Sequence, residues 1–172
     1  PWNEPQAAGA VYRVEGLTRE AVPVTVSGLL RQPVDVAVIP GSATEMLLLD
    51  AAADPEGDGV EGCLLHASTR TGMVAPIFQH ASLVEPVAIA MVDSAHCYIL
   101  DQKADPFGLV PGDAPGPGAI YHVDVRAGTG EAIASDTRFT TPVDLIFDPL
   151  SGKLFVVDRN AAAPEGAGAI FM

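Results

Sequence analysis

Apolar residues in this chain come in bursts of about six, each cut off by Gly, Pro, Ser or Asp. Three bursts start on proline: "PVDVAVIP" at Pro33, "PVAIAMVD" at Pro86 and "PVDLIFDP" at Pro142. Three others close on aspartate: "EMLLLD" at Asp50, "CYILD" at Asp101 and "KLFVVD" at Asp158. Short alternating or continuous apolar runs bounded by turn residues predict β-strands. A 3.6-residue apolar period never lasts three turns, so no helix is predicted. The interruptions "STRTGM" (68–73), "RAGTGE" (126–131) and "DPLSGK" (148–153) carry the Gly and Asp-Pro chemistry of hairpin turns.

These bursts recur in fixed order. A proline-led strand is followed by a strand closing on aspartate, then by a Gly/Pro/Ala loop carrying Pro55, Pro106 or Pro164. Next comes a "G-A-I-Y" strand, at Gly9, Gly62, Gly118 and Gly168, and then a fourth strand near Ala21, Met73 and Glu131. Pro33 and Pro86 lie 53 residues apart, Pro86 and Pro142 56. One unit is therefore four short antiparallel strands with its longest loop between the second and third. So thin a unit must bury its faces against neighbouring copies. Radial stacking of such sheets is the β-propeller. A sandwich shows no such period, and a linear solenoid has shorter repeats without a hairpin at every strand end. The expectation is an all-β partial propeller: the end of one blade in 1–32, full blades in 33–85 and 86–141, and the start of the next in 142–172. That is about three blades, half of a six-bladed ring. The chain opens and stops inside repeats, so the remaining blades are expected from the same longer chain or from a second copy.

Composition narrows the partners. The net charge is −13 and the nine basic residues are scattered singly. Nucleic acid requires clustered Lys and Arg, and an anionic membrane repels the same surface, so neither is an expected partner. No run of 18 apolar residues exists to span a bilayer. Low basic content and acidic loops suit an extracytoplasmic or secreted location. Cys63 and Cys97 each sit in an apolar run, where a free thiol acts as a small hydrophobe; one bridge between them stays open.

The pairs "PVDVA"/"LLLD", "PVAIA"/"YILD" and "PVDLI"/"FVVD" resemble the NHL repeat, in which a "P-x-G-I-A" strand precedes a "V-Y-V-A-D" strand. NHL-type repeats build six-bladed propellers, to which the SMP-30/gluconolactonase group is more distantly similar. The chain departs from that pattern at Asp35, Ala88 and Asp144, where the NHL glycine would stand, and in a longer loop after the aspartate. The resemblance implies a fold shared by binding scaffolds and by lyases or lactonases, and so does not choose among them.

Several carboxylates are candidates for chemistry. Asp50, Asp101 and Asp158 recur in every unit, so each is expected to clamp the amides of the loop that follows it. Asp35 and Asp144 start the innermost strand beside the central funnel. They are candidate ligand or channel residues, able to hold a divalent cation or act as an acid/base pair, or else solvated acids at a strand end. Asp54, Glu56 and Asp58 before Gly59, with Glu61 beyond, resemble the opening of a calcium loop. Its position-12 acid is replaced by Leu65, and an ordinary acidic loop is the alternative. His66 and His122 stand where the first copy has Arg13, and are expected to face solvent. His80 and His96 complete no ligand pattern. The expected function is a non-enzymatic binding or scaffolding module, taking a protein or small molecule at the propeller face. The alternatives are a metal-dependent lactonase or lyase and a calcium-stabilised structural repeat.

Overall fold

A computed structural model describes residues 9–14, 16, 19–112, 114–161 and 169–171. Among these residues all regular structure is β. The first two strands, β1 (Gly9–Val14) and β2 (Ala21–Ser27), form a two-stranded sheet. β3 (Pro33–Val38), β4 (Glu45–Asp50), β5 (Cys63–Ser68) and β6 (Val74–Gln79) form a four-stranded sheet in chain order. A second such sheet comprises β7 (Pro86–Met91), β8 (His96–Asp101), β9 (Ala119–Asp124) and β10 (Thr129–Ser135). The last sheet has β11 (Pro142–Asp148), β12 (Lys153–Asp158) and β13 (Ala169–Phe171). Every neighbouring pair within the sheets is antiparallel.

The repeated residues explain the repeated geometry. Each leading proline faces a closing aspartate across the ladder: Pro33 opposite Asp50, Pro86 opposite Asp101, Pro142 opposite Asp158. Proline has no N–H to donate, so the backbone ladder ends there. The register slips at the next step in all three pairs, leaving Val34, Val87 and Val143 as bulge residues. A bulge bends the strand and raises its twist, which suits a strand at the inner rim of a stack of sheets.

The glycine that opens the third strand packs against the next unit's proline. A Cβ on Gly118 would come within 2.8 Å of the Asp101 carbonyl oxygen and 3.0 Å of Pro142. Its φ of +97° is also one that other residues rarely adopt. Gly62 has the same handedness, with φ +91°, and stands against Leu83 and Pro86. The "G-A-I-Y" glycine is therefore where one sheet hands the chain's packing to the next.

Three apolar cores fill the gaps between consecutive sheets. Leu30, Leu48, Cys63 and Leu65 pack between the first and second. The second and third enclose Leu47, Leu49, Leu64, Ile89, Ile99 and Tyr121, with Ala37 and Ile39 against them. The third and fourth enclose Ala88, Leu100, Ile120, Phe139, Leu145 and Val156. Burying each of the larger aliphatic side chains contributes roughly 1.5–3 kcal/mol. Cys63 and Cys97 are free thiols in different gaps. Burial pushes both thiols up to about 12, so they remain protonated and unreactive at neutral pH.

Candidate functional site

The closing aspartates are buried and do more than hold the loop that follows. The Asp50 carboxylate accepts the Ala52 amide at 3.0 Å, and also the amides of Arg31 at 2.8 Å and Gln32 at 2.9 Å. Asp101 accepts from Lys103 and Ala104 after it, and from Val84 and Glu85 before Pro86, at 2.7 to 2.9 Å. Asp158 accepts from Asn160, and from Thr140 and Thr141 before Pro142. In each unit one carboxylate ties the loop entering the innermost strand to the loop leaving the second. It takes over the pairing where proline ends the ladder. Burial raises the carboxyl pKa of Asp101 above its ordinary value, while its four amide bonds pull the other way.

Asp35 and Asp144 hold equivalent places but differ in surroundings. Each accepts the amide of the next residue, Val36 at 2.7 Å and Leu145 at 2.9 Å. Asp35 also accepts the Ile89 amide at 2.8 Å, spanning from β3 to the innermost strand of the next sheet. Asp35 is half-buried and Asp144 exposed. They lie on β3 and β11, with β7 packed between those two strands.

The acidic loop is organised around one side chain. Asp54 accepts the amides of Gly57 at 2.7 Å, Asp58 at 3.2 Å and Gly59 at 3.0 Å. Burial raises its pKa, and these three amide bonds together outweigh that and hold it below the ordinary value. Asp58 accepts from Val60 at 2.9 Å, while Glu56 and Glu61 are exposed. Asp105 does the same in the next unit, accepting from Leu109 and Val110 at 2.8 Å. Among the described residues no three His, Cys, Asp or Glu side chains are grouped to hold a metal ion.

The histidines differ from the solvent-facing expectation. His66 is half-buried and pairs with Glu45 at 3.0 Å. His122 stacks on His96, with ring centroids 5.4 Å apart, and leans on Tyr98 at 5.3 Å. Both occupy the same diagonal between the second and third strands of their sheets. Glu45 lies on β4 and His96 and Tyr98 on β8, so the partners of both histidines come from the second strand of the same sheet.

One concavity stands out that sequence reasoning missed. A groove of about 690 Å³ lies between the loops bordering the third and fourth sheets. Glu85 and Lys103, which form an ion pair, line it together with Val110, Pro117, Thr140 and Thr141. The amides of Glu85 and Lys103 are held by Asp101 and those of Thr140 and Thr141 by Asp158, so both walls are fixed by buried carboxylates. Phe107 and Leu109 stand exposed on the Asp105-organised loop that leads into Val110. The only sequence signal for this groove was the position of these residues beside the repeated Pro and Asp anchors.

Stacked four-stranded antiparallel sheets, stitched at their inner strands and without helices among the described residues, define a β-propeller segment. The comparison with solved structures agrees on the fold. The crystal structure of TolB from Acinetobacter baumannii, a β-propeller protein, matches over 90% of this chain with a TM-score of 0.55 and 16% identity. The chain spans 33% of the length of that structure. No family model and no curated protein matches the sequence.

Proposed function

We propose that this chain is a non-enzymatic binding or scaffolding part of a β-propeller in an exported protein, taking a protein or small-molecule ligand at its loop face. The observation that carries this reading is the clamped groove between the third and fourth sheets. Its walls are fixed by Asp101 and Asp158, and its rim offers both apolar side chains and an ion pair. Binding pockets combine an apolar lining with a few placed polar groups, and rigid walls lower the ordering cost of binding. The acids that suggested chemistry point the same way. Asp50, Asp54, Asp101 and Asp158 spend their oxygens on three or four backbone amides each, and Asp35 bridges two sheets.

The test uses the longest available protein carrying this segment. A photo-crosslinking residue at position 107, beside the groove, is expected to give adducts of discrete mass in the native host. The same residue at position 150, on the opposite hairpin face, is expected to give none. Equal adducts at both positions argue against a loop-face site. Calorimetric titration with zinc and calcium addresses the lactonase or lyase alternative. Saturable heat that disappears in Asp35→Ala/Asp144→Ala would replace the scaffold reading with the enzymatic one. Calcium-dependent loss of melting temperature in Asp58→Ala would favour the calcium-stabilised repeat.

A further inference from the structure

We propose that the groove between the third and fourth sheets takes a basic side chain, arginine before lysine, carried by a segment of a partner protein; this rests on the reading of that groove as the binding site. The repeat shows what was built there. In both complete units an aspartate four residues beyond the clamp gathers the loop amides. Asp54 takes those of Gly57, Asp58 and Gly59, and Asp105 those of Leu109 and Val110. From Gly59 the second unit reaches its opening glycine, Gly62, in three residues, whereas the third takes eight from Val110 to Gly118. The added stretch carries Pro111, Pro115 and Pro117, and the last two line the groove.

The backbone of this groove has little left to donate. Asp101 holds the amides of Glu85 and Lys103, and Asp158 those of Thr140 and Thr141. The Gln102 amide donates to the Glu85 carbonyl at 2.8 Å, the Gly116 amide to the Lys103 carbonyl at 3.0 Å and the Phe139 amide to the Asp136 carbonyl at 2.9 Å. Pro115 and Pro117 have no N–H at all. A backbone site for an anion aims several N–H groups at it. Here, among the described lining residues, nearly every N–H is absent or turned to an internal acceptor. The remaining capacity of the backbone is that of its carbonyl oxygens, each with two lone pairs. Such a groove suits a ligand that donates.

Charge points the same way. The segment carries −13, and the clamping carboxylates of Asp101 and Asp158 stand behind the two walls. Among the described lining residues Lys103 is the one base, and it is already paired with Glu85. Its side chain is 46% exposed and that of Glu85 39%, and so exposed a pair holds weakly. A cation arriving from a partner therefore takes Glu85 from Lys103, whose own head turns to water. Guanidinium suits the exchange better than ammonium. It is planar, offers five donors to carboxylate and carbonyl oxygens, and is less strongly hydrated. Val110, Pro115 and Pro117 give its stem an apolar wall, and Phe107, half exposed on the adjoining loop, offers a ring on which a guanidinium stacks.

Saturation-transfer NMR on the longest available protein carrying this segment tests this with capped tripeptides that hold arginine, lysine, citrulline or glutamate between two alanines. The arginine peptide is expected to bind most tightly and the lysine peptide next, with citrulline and glutamate at background. Binding should weaken as salt is added. Glu85→Gln removes the charge that receives the guanidinium and should weaken the arginine peptide about tenfold or more. Lys103→Met removes the internal competitor and should tighten it about two- to fivefold. A groove for anions predicts the reverse for Lys103→Met. Both changes fall on the outer ends of partly exposed side chains, so circular dichroism and melt are expected to match the parent. No response to the arginine peptide, an equal response to citrulline, weaker binding in Lys103→Met or unchanged binding in Glu85→Gln would each overturn the proposal. Any of these results alongside selective adducts at position 107 removes the basic ligand and leaves the loop-face site standing. Equal adducts at positions 107 and 150 remove the site itself.

Discussion

Val36 and Ile89 occupy the same place in consecutive repeats, and their surroundings are opposite. Ile89 lies in a packed core with its amide held by Asp35, while Val36 looks outward. Their backbones match: both follow a bulge one step after a proline that faces an aspartate. The difference is the neighbouring sheet, which among the described residues has four strands for Ile89 and two for Val36. The two internal boundaries make a second contrast. The boundary between the second and third sheets has the Asp35 bridge. At the next one the equivalent residue is Ala88, and the contact is apolar, with Phe139 in the core and Tyr98 against Phe147 at 5.7 Å. Repetition thus fixes where a contact falls, while its chemistry varies from one boundary to the next.

The largest expected effect comes from breaking a clamp inside the stack. Asp101→Ala strands four amides around a fully buried site, and is expected to cost about 3–4 kcal/mol in urea unfolding. Asp101→Asn keeps one acceptor oxygen and should cost less. Ile89→Ala should cost about 2–4 kcal/mol by cavity formation. Val36→Ala at low protein concentration should stay within about 0.5 kcal/mol, since it removes surface already exposed. Equal effects at the two positions would mean that the neighbouring sheet does not decide burial. Gly118→Ala combines a positive φ with a 2.8 Å approach to a backbone oxygen, and is expected to cost about 1–3 kcal/mol. Asp35→Ala leaves the Ile89 amide without its acceptor, at about 1 kcal/mol, whereas Asp144→Ala should be close to neutral. Equal losses there would show that bridging to the next sheet is not what Asp35 contributes.

The smallest effect is one of pH. Amide bonds hold Asp54 and Asp124 below the ordinary carboxylate value. Their stabilisation is present above the unfolded pKa, about 3.9, and is lost as pH falls through the lower folded value. Asp101 runs the other way. Its folded pKa is raised, so it opposes folding above that value and ceases to do so on acidification. Melting temperature measured from pH 6 to pH 2 should fall less steeply in Asp54→Asn than in the parent. An unchanged slope would mean that the loop amides do not hold the ionised carboxylate.

Much of the fold was legible because its signals are local. A burst ending at Asp50, a proline at Pro33 and a glycine at Gly62 each restrict the backbone within a few residues, and their recurrence reveals the unit. The loop role of the closing aspartates was legible for the same reason. Their reach back to the residues before the proline was not, since it depends on two distant loops meeting. The groove was not legible either. Glu85, Lys103, Thr140 and Thr141 are ordinary loop residues until two sheets bring them onto one rim. The histidines show a related limit: alternation gave the side of the sheet, and the diagonal partner on the adjacent strand, Glu45 or His96, came from the ladder register.

By itself, then, the sequence determined the strands, their order within a unit and the all-β stacking of those units. Strand period, proline geometry and glycine handedness are properties of adjacent residues. Only the tertiary structure decided which equivalent positions are buried, which acid bridges two sheets and where a groove opens. Those outcomes depend on what the adjoining sheet brings to within a few ångströms, and residues some 50 positions away supply it.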